Sequence, residues 1–565
     1  MGSPFSDYPS IFNPILFNFM NFKRNILFIG ILFFQVVGFS VKASNIFSLN
    51  ALGYLPDQPK IASVLSGFED FSVVDAENGQ TVLTGKLSAP VFQDDVQQTV
   101  QYADFSPLKE RGIYYLQIND TLRSPVFSIS PDVYKPALYT SMRAFYLWRC
   151  GTAVEGVHNG IRYAHDACHM EDGWLDSIGI PGQQRDGTGG WHDAGDHGKY
   201  VVNAGITVGM MFMAWEHFND QLKDFDFGLP ETAPGYPDYL KELKWETDWL
   251  LKMAYPDGSG RISHKLTRTA FAGFIMPEDD TEKRYFTEWS SAATASFTAM
   301  MAQAARYFKP YDATYAQKCL DAALHSYRFL KENPDPKRFT QPFRTGGYHS
   351  HDADDRLWAA VELWETTGDP AFLSDFEKRI SEMDEKVDEN WDWPNVRNMA
   401  VFAYLLSKRE GKNQKLYGEL KEQTLSVANQ IVGKAKKDIY GRPLGERYYW
   451  GCNGTVVRQV LNLQVANRLE PKANYISVSL DALNNVFGRN QYGRSFVTGL
   501  GHQPPMNPHD RRSGADDIEA PWPGYIVGGG QKATDWKDEQ GSFSTNEVAI
   551  NWQAALVYAL AGFVE

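Results

Sequence analysis

The sequence predicts a small β-sandwich followed by a large all-α domain of helical hairpins closed into a toroid. Three observations predict it. Residues 45–130 carry short β-rich runs parted by turn residues. From Ala137 the apolar period changes to that of helices and holds to the C-terminus. Between the predicted helices lie long loops rich in Gly, Pro and Trp, and one of them, Gly189 to Tyr200, concentrates reactive side chains.

Ahead of the sandwich, Lys23 and Arg24 form a short basic region, and Ile26 to Val41 is almost wholly apolar. Val41-Lys42-Ala43 resembles a small-residue cleavage site. The run is short for a membrane span, which needs about 20 residues. A cleaved secretory signal over residues 20–43 is expected, with residues 1–19 as an upstream extension. The mature chain is then secreted or periplasmic and keeps no membrane span.

The sandwich is expected over residues 44–130. Phe71 to Asp75, Thr99 to Tyr102 and Gly112 to Ile118 read as strands, with Glu77-Asn78-Gly79 and Asn119-Asp120 as turns. Residues 131–136 read as a linker and 137–565 as the helical domain. Its apolar faces are marked by Leu138, Met142 and Phe145; by Val202, Ile206, Gly209 and Met213; by Phe297, Met301, Ala304 and Phe308; by Leu357, Val361 and Trp364; and by Val548, Trp552, Ala555 and Ala559. No strand alternation is expected among them. A helical solenoid is the structural alternative.

The net charge of −14, from 55 basic and 69 acidic residues, argues against a nucleic-acid partner, which needs clustered Lys and Arg. Aromatic residues make up 14% of the chain, which suits stacking on sugar rings and equally suits a helical core.

The stretch Gly189 to Tyr200 holds Asp193 and Asp196 three residues apart, so one turn of backbone places both on one side. Two carboxylates held together can position and deprotonate a water. The same residues also read as a polar loop with an Asx turn. They read as a metal site too, because His192, Asp193, Asp196 and His197 are all zinc- or iron-type ligands. The cysteines are Cys150, Cys168, Cys319 and Cys452. Cys150, Cys168 and His169 supply three zinc-type ligands and His192 a fourth; a Cys150–Cys168 disulfide is the equal alternative. Near the C-terminus, Pro508-His509-Asp510-Arg511 offers a rigid grip for hydroxyls, Trp536-Lys537-Asp538 follows, and Glu547 opens an apolar helix. A glutamate there is often only dipole compensation, and acting as a general acid requires a raised pKa.

Gly190 to Tyr200, Pro508 to Arg511, and Asp538 with Asn546-Glu547-Val548-Ala549 resemble the three signature regions of glycoside hydrolase family 9. The resemblance implies an (α/α)6 barrel, here preceded by the immunoglobulin-like domain of one branch of that family. It implies Asp196 as the base that activates water, Asp193 as its helper and Glu547 as the general acid. It implies His509 and Arg511 as ligands of the sugar beside the scissile bond, and Asp538 as support. Inversion needs the acid and base roughly 6.5–9.5 Å apart, which a close Asp pair cannot provide.

The resemblance also implies a structural zinc on Cys150, Cys168, His169 and His192, and leaves His197 without a role. It implies a calcium on Ser350, Asp354 and Asp355, with Asp392 displaced to the residue before Trp393. Loop aromatics Trp174, Trp391, Trp393, Tyr449, Trp450, Trp522 and Tyr525 are candidates for stacking on glucosyl units. The function that follows is an inverting endo-β-1,4-glucanase acting on cellulose, mixed-linkage glucan or xyloglucan. Its rivals are an exo-acting cellodextrinase or β-glucosidase, a non-catalytic glycan-binding protein, and a metal-dependent hydrolase that chelation would stop.

Overall fold

The computed structural model describes residues 46–230 and 235–565, so the expected targeting segment lies outside the described residues. The β-rich region forms β1 (Phe47–Ser48), β2 (Gly53–Tyr54), β3 (Ile61–Leu65), β4 (Asp70–Asp75), β5 (Thr81–Lys86), β6 (Val91–Gln93), β7 (Gln98–Asp104), β8 (Gly112–Ile118), β9 (Leu122–Arg123) and β10 (Phe127–Ile129). They build two sheets, one in the order β1-β3-β7-β6, the other β2-β10-β8-β4-β5 with β9 against β8. Pairing is antiparallel apart from β10 with β2. Phe71, Val73, Phe105, Leu116 and Phe127 fill the space between the sheets. The turns fall where the sequence puts them: Gly79, Asn119 and Asp120 all take positive φ.

The long helices are α1 (Lys135–Leu147), α2 (Val201–His217), α3 (Asp238–Lys252), α4 (Ser291–Phe308), α5 (Ala313–Glu332), α6 (Ala353–Thr367), α7 (Pro370–Ser381), α8 (Arg397–Leu406), α9 (Gln414–Lys437), α10 (Cys452–Leu469), α11 (Ala473–Val486) and α12 (Ile550–Ala561). The first begins inside the expected linker, with Pro136 in its first turn, where a missing N–H costs nothing.

Inner and outer helices alternate along the chain. The even-numbered ones pack neighbour to neighbour, and α12 returns to α2, closing an (α/α)6 barrel. Their composition explains the inner position. All of α12 is buried, and so is α2 from Val201 to Trp215. Small residues let the ring close. A Cβ on Gly209 would lie 2.7 Å from Met399 Sδ on α8 and 2.8 Å from Trp358 on α6. The barrel interior is therefore filled by side chains meeting from several helices. The odd-numbered helices are amphipathic and bury one face; α3 buries Tyr239, Leu243 and Leu250 and turns Lys244 and Asp248 outward.

Loop length separates the two ends of the barrel, apart from the 218–237 connection after α2. Inner helices pass to the next outer helix by connections as short as 309–312 after α4 and 470–472 after α10. Outer helices return inward through long loops: 148–200 before α2, 253–290 before α4, 333–352 before α6, 438–451 before α10 and 487–549 before α12. The long loops contain strands the sequence reading left out. Val154–His158 and Ile161–His165 form a hairpin through Asn159 and Gly160, both at positive φ. An Asn-Gly pair is the usual signal for such a turn. Lys199–Tyr200, Lys265–Thr267 and Tyr285–Phe286 form a second small sheet beside the loop that carries Asp196.

The sandwich is seated mainly on two long loops, 438–451 and 487–549. Val96 and Val100 form one buried cluster with Ile439, Tyr440 and Ala533. Ser63 Oγ donates to Ile439 O at 2.8 Å, and Tyr440 OH donates to Gln98 Oε1 at 2.5 Å. Removing a buried aromatic side chain of this size costs about 3 kcal/mol. Tyr440→Ala should lower the unfolding free energy by about that amount. Denaturant titration checks it, and a loss below about 1 kcal/mol would mean the sandwich is only loosely attached.

Candidate active site

The loops before the inner helices converge on a cleft of about 400 Å³ lined by Asp193, Ala194, Asp196, Phe271, Gly346, Gly347, Tyr348, Asp392, Trp393, Trp450, Glu547, Ala549, Asn551 and Trp552. Three predicted catalytic side chains, Asp193, Asp196 and Glu547, open on it together.

The Gly189–Tyr200 loop is not the helical turn that the spacing suggests. It is stitched to its neighbours by backbone bonds. His192 N donates to Trp148 O at 2.9 Å, Asp193 N to Gly198 O at 3.0 Å, and Ile550 N to Asp193 O at 2.9 Å. Trp191 is buried beneath it. Its peptide N–H donates to Glu246 Oε2 at 2.7 Å and its indole N–H to Glu242 Oε1 at 2.8 Å. Gly195 has to be glycine, because a Cβ there would sit 2.1 Å from His509 O.

Both aspartates are held by short bonds. Asp193 accepts from Asn203 Nδ2 at 2.8 Å and Tyr348 OH at 2.5 Å. Asp196 Oδ2 accepts from Tyr200 OH at 2.8 Å and Gly198 N at 2.9 Å. The second bond is the Asx turn of the plain structural reading, so that turn and the carboxylate pair coexist. Burial and the neighbouring Asp196 push the Asp193 carboxyl up to about 8. Glu547 is likewise driven well above the usual carboxyl range, by burial first and then by Asp196 and Asp193; Arg511 and a hydrogen bond with Trp450 act the other way. It lies beside the loop, through a parallel bridge to His509 and the antiparallel pairing of Ala549 with Ala194.

His509 Nδ1 meets Gln540 O at 2.7 Å, and its ring touches Phe274 and Phe543. Arg511 spends its bonds on the carbonyls of Gly195 (2.6 Å) and Ala272 (3.0 Å). It therefore braces the Asp196 loop. Asp538 binds Arg494 and accepts from the peptide N–H groups of Met506 and Asn507, anchoring the segment that leads to His509.

The aromatic candidates divide. Trp450 (48% exposed) and Trp393 line the cleft. Trp391 and Trp522 are both 0% exposed and present no face to a ligand. Their indole N–H groups are taken up inside, by Asn462 and Asp516. Tyr525 is a core side chain bonded to Ala144 O. Tyr449 packs half-buried on the core, and Trp174 sits under Lys283 away from the cleft. Nothing in a single sequence separates these cases, because Trp and Tyr serve both places. Tyr348, Asn203 and Asn551 escaped the sequence reading for the same reason; Tyr200 lay inside the central stretch but carried no signal of its role.

The expected calcium quartet does not assemble. Asp392 faces the cleft, paired with Arg458 at 2.8 Å and bonded by Asn551 at 2.9 Å. Asp354 accepts from Val396 N, and Asp355 from Ser296 Oγ. Ser350 Oγ has no partner. Among the described residues, Asp354, Asp355 and Asp392 do not form a converging donor set.

Cys150, Cys168, His169 and His192 do converge. One donor atom from each lies within 4.8 Å of the rest, all buried. His192 Nε2 is 3.4 Å from His169 Nδ1, Cys150 Sγ is 3.5 Å from His169 Nδ1, and Cys168 Sγ is 3.9 Å from His192 Nε2. Bonds of about 2.0–2.3 Å to a tetrahedral ion give edges of about 3.3–3.8 Å, so the set fits one metal. Both cysteines are free, which removes the disulfide alternative. Burial pushes the Cys150 thiol up, but Cys168, Lys199 and His169 outweigh it and hold the thiol well below its usual range.

This barrel, with its carboxylates gathered on the long-loop side, matches the glycosyl hydrolase family 9 model over residues 134–560. The chain belongs to that family. Residues 42–122 match the cellulase N-terminal ig-like domain. The chain is 53% identical to endoglucanase D of Acetivibrio thermocellus, over 91% of this chain and 83% of that protein. It is 33% identical to a cellodextrinase of Butyrivibrio fibrisolvens, over 92% and 99%. It superposes on the crystal structure of a Zn-binding triple mutant of the family 9 endoglucanase J30 with a TM-score of 0.84 and 32% identity, covering 90% of this chain and 99% of that one.

Cys168→Ser removes one donor from the four. It should weaken metal binding by more than the roughly 10–100-fold that loss of an outer-shell partner costs, and lower the melting temperature. Elemental analysis and thermal melts check this; an unchanged metal content would mean that the cluster holds none.

Proposed function

We propose that this glycoside hydrolase is an inverting endo-β-1,4-glucanase, exported from the cytoplasm, that cleaves β-glucan chains lying across the cleft. The observation that carries the reading is the pairing of Asp193 and Asp196 on one loop with a Glu547 whose carboxyl is held protonated by burial and by those same aspartates. Asp196 is the base. Its Oδ2 is committed to Tyr200 and Gly198, which leaves Oδ1 to take a proton from water. Asp193 helps hold that water. Glu547 gives its proton to the leaving glycosidic oxygen. Water attacks the face opposite the departing sugar, so the anomeric configuration inverts.

Trp450 and Trp393 offer apolar faces to glucosyl rings, and Asp392 with Asn551 offers polar groups to their hydroxyls. Endo action is favoured over the exo alternative by the 53% identity to an endoglucanase against 33% to a cellodextrinase. The metal is zinc, held by Cys150, Cys168, His169 and His192. With four protein donors the ion has no open position for substrate or water, so it braces the loop and supplies no reacting group.

Glu547→Gln should cut kcat on soluble β-glucan by about 10³-fold, with partial recovery on an aryl glycoside whose leaving group needs no proton. The wild-type product, followed by NMR, should first appear as the α-anomer; β-anomer or an active mutant would overturn the assignment.

The pH dependence has a defined sign. A raised pKa keeps Glu547 in its acid form, so activity falls as the pH rises through that value. The hydrogen bond with Trp450 lowers the Glu547 pKa. Trp450→Phe keeps a stacking ring and removes that bond, so the alkaline limb of kcat/KM should move to higher pH. A shift to lower pH would exclude Glu547 as the group behind that limb.

A further inference from the structure

His197 and Asp280 have no part in the scheme above, yet both are enclosed, at 6% and 5% exposure. Asp280 stands between the donor cluster and the Asp196 loop. Its Oδ2 is 3.7 Å from His169 Nε2 and 3.4 Å from His197 Nδ1, and its Oδ1 accepts from Arg268 Nη1 at 2.6 Å. His197 follows Asp196 directly, and its ring centroid is 5.0 Å from that of His192. Asp196, His197, Arg268 and Asp280 share the wall of one small cavity.

The geometry points to Asp280 as a positioning residue that serves both sites: it is the outer-sphere partner of the metal ligand His169 and, through His197, it fixes the segment carrying Asp196. The inference rests on the metal set and the base proposed above.

The physical reason lies in the histidine tautomers. His169 turns Nδ1 toward Cys150 and His192, and Nε2 toward Asp280. When the Nδ1 lone pair goes to a metal, the neutral ring carries its proton on Nε2, which then donates to the carboxylate. When Nδ1 keeps the proton, Nε2 is a bare lone pair facing a carboxylate, and the contact is repulsive. His169 Nε2 has no hydrogen-bond partner at its present distance. Loading the donor set therefore fixes the one neutral tautomer in which this contact is attractive. The same oxygen, Oδ2, faces His197 Nδ1, so both rings are held by one carboxylate that Arg268 keeps in place. A second cation between His169, His197 and Asp280 is disfavoured by the ion pair with Arg268 and by Arg284 in the same cavity wall. Coupling through His192, next to Asp193, runs in parallel; the Asp280 route is the one that reaches the Asp196 side.

The test uses the full-length enzyme, loaded with zinc. Zinc affinity is read by competition with a chromophoric chelator, and kcat and KM on a soluble β-glucan are read at a temperature where every variant is folded by circular dichroism. Asp280→Asn should bind zinc about 10–100-fold more weakly and lower kcat with little change in KM. Saturating zinc should restore occupancy but not kcat. Normal zinc affinity in the mutant would overturn the outer-sphere role. Full recovery of kcat at saturating zinc would overturn the coupling to Asp196.

Should Asp280→Asn fail to fold, the wild type supplies the measurement. Stripped of zinc but still folded, it should lose kcat with KM retained and regain it on reloading; an unchanged kcat would refute the coupling. If the wild type bound no zinc at all, the metal assignment itself would fall, a result distinct from a normal affinity in the mutant.

Discussion

Two hydrogen bonds on Trp191 decide where the chemistry sits. Glu242 and Glu246 lie one helical turn apart on the same face of α3 and take the indole and peptide N–H groups of a single residue. The indole is at the same time sealed against Phe145, at 4.6 Å between ring centroids. A glycine-rich loop has little stiffness of its own, and ordering each residue costs about 1–2 kcal/mol. Fixing the loop at Trp191 fixes its neighbours on both sides. Gly190 O is taken by Cys150 N, and Asp193 O by Ile550 N. The donor cluster and the aspartates are consequently two sides of one clamp.

The same enclosure sets the electrostatics. Three carboxyl groups near one another in a partly dehydrated cleft cannot all ionise cheaply. Burial and the neighbouring carboxylates raise both Asp193 and Glu547; Tyr348 and Asn203 offset part of this at Asp193, and Arg511 and Trp450 part of it at Glu547. The cleft therefore favours the acid form at both Asp193 and Glu547. Inner helices that start at this end also point their positive dipole ends toward the cleft, which lessens the cost of the charge that remains.

The sequence carried the layout well, and each success has a physical source. Helical periodicity, the β-rich start and the Gly and Pro punctuation follow from local backbone preference, so they survive without neighbours. The residues alone drew attention to the carboxylates and the Cys-His set but left their alternatives open, and only the family resemblance chose among them. What the sequence lacked were partners distant in the chain. Tyr348 reaches Asp193 across 155 positions, and nothing in Gly346-Gly347-Tyr348 announces it. Trp391 and Trp450 are the same kind of residue, and only packing separates core from cleft. The acidic run at Asp352 to Asp355 has the composition of a cation site, yet Asp392 pairs with Arg458 and does not join it in a converging donor set among the described residues. Composition does not fix direction.

The contrast between the barrel's two ends explains the accessory parts. Most connections on one side are short and close hairpins at small entropic cost, the 218–237 connection apart. The long loops on the other side need outside support. The Cys-His cluster holds the loop before α2. The small sheet at Lys199, Lys265 and Tyr285 ties that loop to the one before α4. Asp538 gathers the loop before α12. The sandwich does the same for residues 438–451, because Ile439 and Tyr440 are bonded and buried against it and Tyr448 packs at the edge of the same cluster. That loop ends at Trp450, in the cleft. A domain with no residue in the cleft thus helps place an aromatic ring in its wall, and the attachment of the sandwich is a matter of cleft geometry as well as stability.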